Sequence, residues 1–174
     1  GTHITLKNNY IGTNSTGTAA IPNGQQGIEV CGVTSCGGGN PPTIDLVIGG
    51  SNPGEGNVIS GNLGDGITLN GVQNLILQGN KIGTDISGSN ALSNDNTGVY
   101  FSESSQFVIG GLNPGEENII SFNMGKGISG GISNDITITK NSIHDNGEQG
   151  IALGEVDNGL ISQNNIYNND MGVV

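Results

Sequence analysis

Residues 141–151 have the sequence NSIHDNGEQGI, and the Asn-x-Ile phrase at its start recurs along the whole chain. Three of the five intervals between successive isoleucines of this phrase are 23 residues long. The other two intervals, of 48 and 38 residues, are this period plus insertions. Self-similarity at a fixed period of this length is typical of solenoid proteins. The isoleucines of the phrase are Ile11, Ile59, Ile82, Ile120, Ile143 and Ile166.

The insertions that lengthen two of the intervals are themselves repeated. The segment YIGTNSTGTAAIPN at 10–23 is similar to KIGTDISGSNALSN at 81–94. The segment IGGSNPGEGNVISGN at 48–62 is similar to IGGLNPGEENIISFN at 109–123. Because both pairs keep their register with the Asn-x-Ile phrase, we expect them to be loops added to one underlying repeat.

Each repeat contains three short apolar bursts that are separated by Gly, Asn and Asp. One burst carries the Asn-x-Ile phrase, the next starts at a Gly-Ile or Gly-Val step, and the last alternates apolar-x-apolar, as in Ile136-Thr137-Ile138. Alternation with a period of two residues indicates strands. The sequence therefore predicts an all-β fold, a right-handed single-stranded parallel β-helix of about six coils of ~23 residues with loop insertions, spanning 1–174.

Asparagine precedes the repeated isoleucine by two residues in every coil. In a stack of coils, these side chains would form a ladder along one corner, with each amide bonded to the next. Asparagine also tolerates the left-handed backbone that a tight corner needs. The predicted ladder consists of Asn9, Asn57, Asn80, Asn118, Asn141 and Asn164.

The composition excludes several classes of partner. The net charge is −11, and four lysines are the only strong cations. Nucleic acid is therefore not expected as a partner, since phosphate contacts need a basic patch. No apolar run approaches the roughly 18 residues that a membrane span requires.

The phrases Asn-x-Ile-x-x-Asn-x-x-x-Gly-Ile, complete in Asn141 to Ile151, and Ile-Gly-Gly resemble the parallel β-helix repeat family. This family lies within the wider pectate-lyase-like superfamily and is similar to repeat regions of bacterial secreted and surface proteins. The resemblance covers essentially the whole chain. It implies the fold, but not one activity, because that superfamily contains lyases, hydrolases, epimerases, adhesins and inert stalks.

The catalytic arrangements that the resemblance implies are missing from the sequence. The lyase version uses calcium ligands with an arginine or lysine base, but the chain has no arginine, and no lysine lies beside an acidic triplet in register. The hydrolase version uses paired carboxylates. The outward row of the Gly-Ile strands, however, contains a single carboxylate, that of Glu29. His144 and Asp145 are expected to be a turn pair that faces solvent. The sequence favours a non-catalytic protein over an enzyme, with no catalytic residues and no resident cofactor.

Two local features leave alternatives open. Cys31 and Cys36 would form a small loop disulfide in an oxidising compartment, or remain free thiols in a reducing one. The carboxylates of Glu55, Glu116 and Asp85 lie in Gly-rich loops, whose carbonyls could complete a structural calcium site. The alternative is that these acids belong to plain turns.

The outward row of the apolar-x-apolar strands is unusually apolar and consists of Val47, Ile76, Val108 and Leu160. We expect another chain or domain to cover it. Both ends of the sequence fall within strand patterns and show no polar cap, so we expect a segment of a longer solenoid. The leading hypothesis is a secreted or cell-surface structural or adhesive module that contacts other solenoid chains end to end or side by side. The alternative is a carbohydrate-binding or polysaccharide-degrading protein.

Overall fold

The structure is a computed structural model that describes residues 2–32 and 44–174. Within these ranges the secondary structure consists of short strands, three in each of coils 1 to 5 and four in coil 6. In chain order they are β1 (Thr2–Leu6), β2 (Tyr10–Ile11), β3 (Ile28–Cys31), β4 (Ile44–Gly49), β5 (Val58–Ile59), β6 (Ile67–Asn70), β7 (Gln73–Gln78), β8 (Lys81–Ile82), β9 (Val99–Ser102), β10 (Ser105–Gly110), β11 (Ile119–Ser121), β12 (Ile128–Gly130), β13 (Ser133–Thr139), β14 (Ser142–His144), β15 (Gln149–Leu153), β16 (Val156–Asp157), β17 (Leu160–Ser162), β18 (Asn165–Tyr167) and β19 (Met171–Val173).

The strands form three parallel sheets that run along the axis of the stack. Sheet 1 contains β1, β4, β7, β10 and β13, with both β16 and β17 paired to β13. Sheet 2 contains β2, β5, β8, β11, β14 and β18, and sheet 3 contains β3, β6, β9, β12, β15 and β19. Each strand pairs with its counterpart in the next coil. The predicted right-handed parallel β-helix is confirmed.

The repeated isoleucines stack in the predicted register in spite of the insertions. Ile11 pairs with Ile59 across a 48-residue interval, and Ile82 pairs with Ile120 across a 38-residue interval. Ile59, Ile82, Ile120 and Ile143 are completely buried. Burying an isoleucine contributes about 1.5–3 kcal/mol relative to leaving it exposed. The inward rows of the three sheets therefore form one continuous apolar core.

Asparagine side chains join the coils along the corner between sheets 1 and 2. The ladder has five steps, from Asn9 to Asn164. In each step, the asparagine Oδ1 of one coil accepts two hydrogen bonds, from the backbone N–H and the Nδ2 of the asparagine in the preceding coil. The Nδ2 to Oδ1 distances are 2.9–3.0 Å. From coil 2 onward, Nδ2 also donates to a sheet 1 carbonyl of the preceding coil at 2.8–2.9 Å. The predicted ladder is confirmed.

A second asparagine ladder follows the corner between sheets 2 and 3, and the sequence analysis did not predict it. The Nδ2 to Oδ1 distances of its five steps are 2.8–2.9 Å. Four members lie three residues after the repeated isoleucine, a spacing visible in Asn146 of the phrase at 141–151. The other two are displaced by insertions. The ladder consists of Asn23, Asn62, Asn94, Asn123, Asn146 and Asn169.

Serine closes part of the third corner, between sheets 3 and 1. The Oγ atom of Ser104 accepts a hydrogen bond from the Val72 N–H at 3.2 Å, and Ser133 Oγ accepts one from the Ser104 N–H at 3.2 Å. The hydroxyls of Ser104 and Ser133 each donate to the carbonyl of the residue two positions earlier in the sequence. All three corners thus contain polar side chains that satisfy backbone groups where the strands end.

The Ile-Gly-Gly phrase marks a corner where a side chain would not fit. Its first glycine, Gly49 or Gly110, has a φ of +85° or +88°. A Cβ at Gly110 would clash with the carbonyl oxygen of Thr139 and the side chain of Asn141, both in the next coil. Glycine is required here both for the left-handed backbone and for the close approach of the neighbouring coil.

We predict that Gly110→Ala lowers the free energy of unfolding by at least about 2 kcal/mol, because it adds backbone strain to a steric clash. Equilibrium urea unfolding followed by circular dichroism measures the change. Gly24→Ala is the matched control, since a Cβ there meets nothing within 4 Å. The control should change the free energy by less than about 0.5 kcal/mol. Equal effects at the two glycines would contradict the packing argument.

We predict that Asn118→Ala destabilises the fold by about 3 kcal/mol, because it leaves the buried N–H and Nδ2 of Asn80 without their acceptor. The same urea titration gives the value. Asn165→Ala is the control, since Asn165 is an exposed asparagine on β18. A loss at Asn118 no larger than that at Asn165 would show that the ladder does not stabilise the stack.

Candidate functional site

The outward row of sheet 1 has one residue per coil and is apolar in every coil except the first and the fifth, which carry Thr5 and Thr137. Val47, Ile76 and Val108 are in register along the sheet, and Thr137 and Leu160 continue the row. Ile76 is 41% exposed and Leu160 is 54% exposed, while the valines are half-buried. We call Val47, Ile76, Val108 and Leu160 the contact stripe. Its one polar interruption between Val47 and Leu160 is Thr137.

Two shallow cavities lie on the contact stripe. One, of about 430 Å³, is lined by Val47, Ile76 and Val108. The other, of about 510 Å³, is lined by Val108, Leu160 and Leu112, the last of which is 60% exposed. The stripe is therefore a groove over much of its length, with Leu112 as part of one wall.

Polar side chains pair between coils along the other edge of the stripe. Asn74 Nδ2 donates to Asp45 Oδ1 at 3.0 Å, and Asn158 Nδ2 donates to Asp135 Oδ1 at 3.1 Å. These pairs lie at the beginning of the sheet 1 strands. They give the apolar groove a polar border, as is usual at the rim of a protein interface.

The glutamates proposed as calcium ligands instead close their own loops. Glu116 accepts hydrogen bonds from the backbone N–H and the side-chain amide of Asn113, both at 2.9 Å. Glu55 accepts one from the Asn52 N–H and forms an ion pair with Lys7 at 3.0 Å. The side chain of Asn113 lowers the pKa of the Glu116 carboxyl, and the Lys7 ammonium does the same for Glu55.

Asp85 organises a hairpin loop by accepting four hydrogen bonds. They come from the backbone N–H and hydroxyl of Ser87 and from the backbone N–H and side-chain amide of Asn90. Burial by itself raises the pKa of this carboxyl, but the bonds from Asn90 and Ser87 outweigh it and lower the pKa to about 2. In the sister loop, Asn14 Oδ1 accepts bonds from Thr16 and Thr18 in the same way.

The structure does not bring the calcium candidates together. In the described ranges, no group of three or more His, Cys, Asp and Glu side chains could hold a metal ion. Asp85, Glu55 and Glu116 each lie in a different loop and are bonded there. Cys36 lies outside the described residues, so its pairing with Cys31 stays a prediction.

His144 does not face solvent as expected, because its neighbours in the stack cover it. Its ring is stacked on that of Tyr167, with centroids 4.6 Å apart and an angle of 9°. Phe122 contacts it edge-on from the preceding coil. The His144 side chain is only 12% exposed. The expectation of a solvent-facing pair is wrong for His144, because Tyr167, 23 positions later, and Phe122, 22 positions earlier, lie next to it.

Ser121, His144 and Asp145 have the composition of a catalytic triad but not its geometry. Asp145 Oδ2 is 2.7 Å from His144 Nδ1, and Ser121 Oγ is 3.0 Å from the same nitrogen. In a triad, the serine and the carboxylate contact opposite nitrogens of the ring, so that the histidine can carry a proton between the serine and the substrate. Here Ser121 has no such path. The cluster stabilises the outer face of sheet 2.

The fold and surface define the class of protein, a single-stranded parallel β-solenoid with an apolar groove on one face. The family model described as right handed beta helix region matches residues 83–174, which is just over half of the chain. The chain belongs to this family. None of the curated proteins and none of the solved structures compared with it matches. The described residues contain no helix that is long and apolar enough to cross a membrane.

We predict that Asp85 makes the stability of the fold depend on pH between about 4 and 2. Because its folded-state pKa is about 2 and its ordinary value is 3.8, its contribution is complete above pH 4 and is lost as the pH falls. Asp85→Asn, which copies the sister residue Asn14, should keep the fold and remove this dependence. Urea unfolding at several pH values in this range should show the advantage of the wild type shrinking. A constant difference between the two proteins would contradict the role of the carboxylate.

Proposed function

We propose that this chain is a non-catalytic structural module of an extracellular protein, and that two copies dock side by side through the contact stripe. The observation that carries the proposal is the outward row of sheet 1, where coils 2, 3, 4 and 6 carry an apolar side chain and Ile76 and Leu160 are exposed. Contiguous exposed apolar surface of this kind usually marks a contact site. The resemblance to repeat regions of secreted and surface proteins supports the extracellular setting.

The spacing of the stripe favours another solenoid as its partner. Val47, Ile76 and Val108 belong to neighbouring strands and so are about 4.8 Å apart, and Leu160 lies two strands beyond Val108. Along an extended peptide, side chains on one face are roughly 6.8 Å apart, so their spacing does not match that of the stripe. The sheet 1 face of a second copy has the same spacing. In an antiparallel pair, Ile76 of one copy would lie opposite Val108 of the other.

The association of these six coils is expected to be weak. Stable interfaces bury about 800 Å² per partner, whereas the stripe is one side chain wide and about 19 Å long, since four steps of about 4.8 Å separate Val47 from Leu160. Each copy also carries a net charge of −11, and salt screens such repulsion. The affinity of this contact should rise with salt and with the number of coils that dock at once.

We predict that the mean mass in sedimentation equilibrium rises with protein concentration in 0.5 M NaCl. The double variant Ile76→Lys and Val108→Lys should remain monomeric, because each lysine places a charge on the apolar contact. Ser129→Lys with Ala152→Lys is the matched control, since these residues are in register on the outward row of sheet 3. The control should associate like the wild type. A monomeric wild type, or equal association of both double variants, would contradict the proposal.

A carbohydrate-related function is the second candidate, and one cavity favours it. This cavity of about 620 Å³ lies where sheet 3 turns into sheet 1, and it is lined by Gln73, Asn134, Glu155 and Asp157 together with the exposed Ile132. Polar groups beside an apolar surface suit a sugar. Affinity electrophoresis on neutral and acidic polysaccharides, with and without calcium, tests binding. Turnover that Glu155→Gln abolishes would overturn the preference for a non-catalytic module.

A further inference from the structure

A trough on the outer face of sheet 2 is enclosed by the two kinds of insertion. Its floor contains the outward residues Tyr10, Val58 and Lys81, which occupy neighbouring rungs of the sheet. The loops at 50–57 and 111–118 enter from the sheet 1 side, and the hairpins at 12–21 and 83–92 enter from the sheet 3 side. The cavity between them has a volume of about 380 Å³.

Contacts between loops two coils apart hold the walls of the trough. The Ile86 N–H donates to the Gly17 carbonyl at 2.8 Å, which joins the hairpin of coil 3 to that of coil 1. Gly115 of coil 4 approaches Ser51 of coil 2 so closely that a Cβ would clash with its carbonyl oxygen. Both kinds of insertion thus converge on one cavity. On solenoids, such loops commonly form the binding face.

Lys81 differs from the other three lysines because its ammonium has no partner among the described residues. Lys7 pairs with Glu55 at 3.0 Å, and Lys126 pairs with Glu148 at 3.8 Å. Lys140 donates to the Leu112 carbonyl at 3.3 Å. The stem of Lys81 lies beside Gly88, where an added Cβ would stand 3.4 Å from its Cε. Lys81 lines the cavity and, in a chain with a net charge of −11, is a lysine without a counter-ion among the described residues.

The lining of the trough suits an anion. Among the described residues that line it there is no Asp or Glu. The nearby carboxylates are engaged in the loops, Glu55 with Lys7 and Glu117 with the Gly115 N–H at 2.9 Å. Asn8 and Tyr10 line the cavity with groups that can donate hydrogen bonds. Among the described lining residues, Lys81 is therefore the one that carries a formal charge.

We propose that this trough binds an oxyanion, either a small free anion or the anionic group of a larger molecule. Lys81 supplies the charge, and Tyr10 and Asn8 donate hydrogen bonds to the oxygens. An ion pair that is supported by hydrogen bonds inside a cavity is stronger than one on an open surface. This site is separate from the contact stripe, which lies on sheet 1, and does not depend on the proposed self-association.

The test is an NMR titration of the full chain with inorganic phosphate, sulfate and acetate at constant ionic strength. Saturable shifts of backbone amides should be confined to residues around Tyr10, Val58 and Ile86. Comparing the binding of phosphate and sulfate with that of acetate shows whether the site prefers a tetrahedral oxyanion or a carboxylate. Lys81→Gln should weaken binding at least about tenfold, a loss of about 1.4 kcal/mol. Lys81→Arg should keep the affinity within about threefold, and the spectra report directly whether each variant is folded.

Lys126→Gln is the matched control, since it removes a lysine that is already paired with Glu148 and lies outside the trough. It should bind as the wild type does. The proposal is overturned if none of the three anions gives saturable shifts, or if the shifts lie elsewhere. Equal loss in the two glutamine variants would show an effect of net charge only, and would overturn it too.

Discussion

The structure depends on hydrogen bonds between coils rather than within them. A strand of two to seven residues cannot pair with itself, so its backbone groups must find partners in the coils above and below. In the strands, these partners are backbone groups of the same register. At two of the corners, where the backbone turns away from the strand direction, asparagine side-chain amides form the hydrogen bonds between coils, since an amide both donates and accepts. Two ladders with near-identical distances, 2.8–3.0 Å, therefore fix the height of every coil.

The ladders also explain where the chain tolerates additions. In the described ranges, extra residues enter only between strands, as in the loops at 50–57 and 83–92, while the isoleucines on both sides remain in register. Because the insertions project outward, the core does not change. The outer surface does, and the coils consequently differ in what they present to solvent. The contact stripe lies where the sheet is bare, and the trough lies where loops surround it.

Much of the fold could be predicted because it is periodic. The Asn-x-Ile phrase gave the register, and the first ladder followed from its fixed position before Ile59 or Ile143. The second ladder was missed because an insertion moves Asn94 to twelve residues after Ile82, whereas Asn146 follows Ile143 by three. The environment of His144 was predicted wrongly for a related reason. The turn around it indicates solvent, but Tyr167 covers the ring from the next coil.

The sequence by itself determined the repeat, the sheet to which each strand belongs and the side chains that form the core. These properties follow from the spacing of apolar residues and asparagines along the chain. Only the tertiary structure decided the surface: that Glu116 and Asp85 close their own loops, that Ser121 reaches the wrong nitrogen for catalysis, and that Lys81 lines a walled trough with no partner in the part of the chain that the structure describes. The reason is that outward contacts join residues from different coils and from loops two coils apart, a proximity that stacking creates and that no local pattern records.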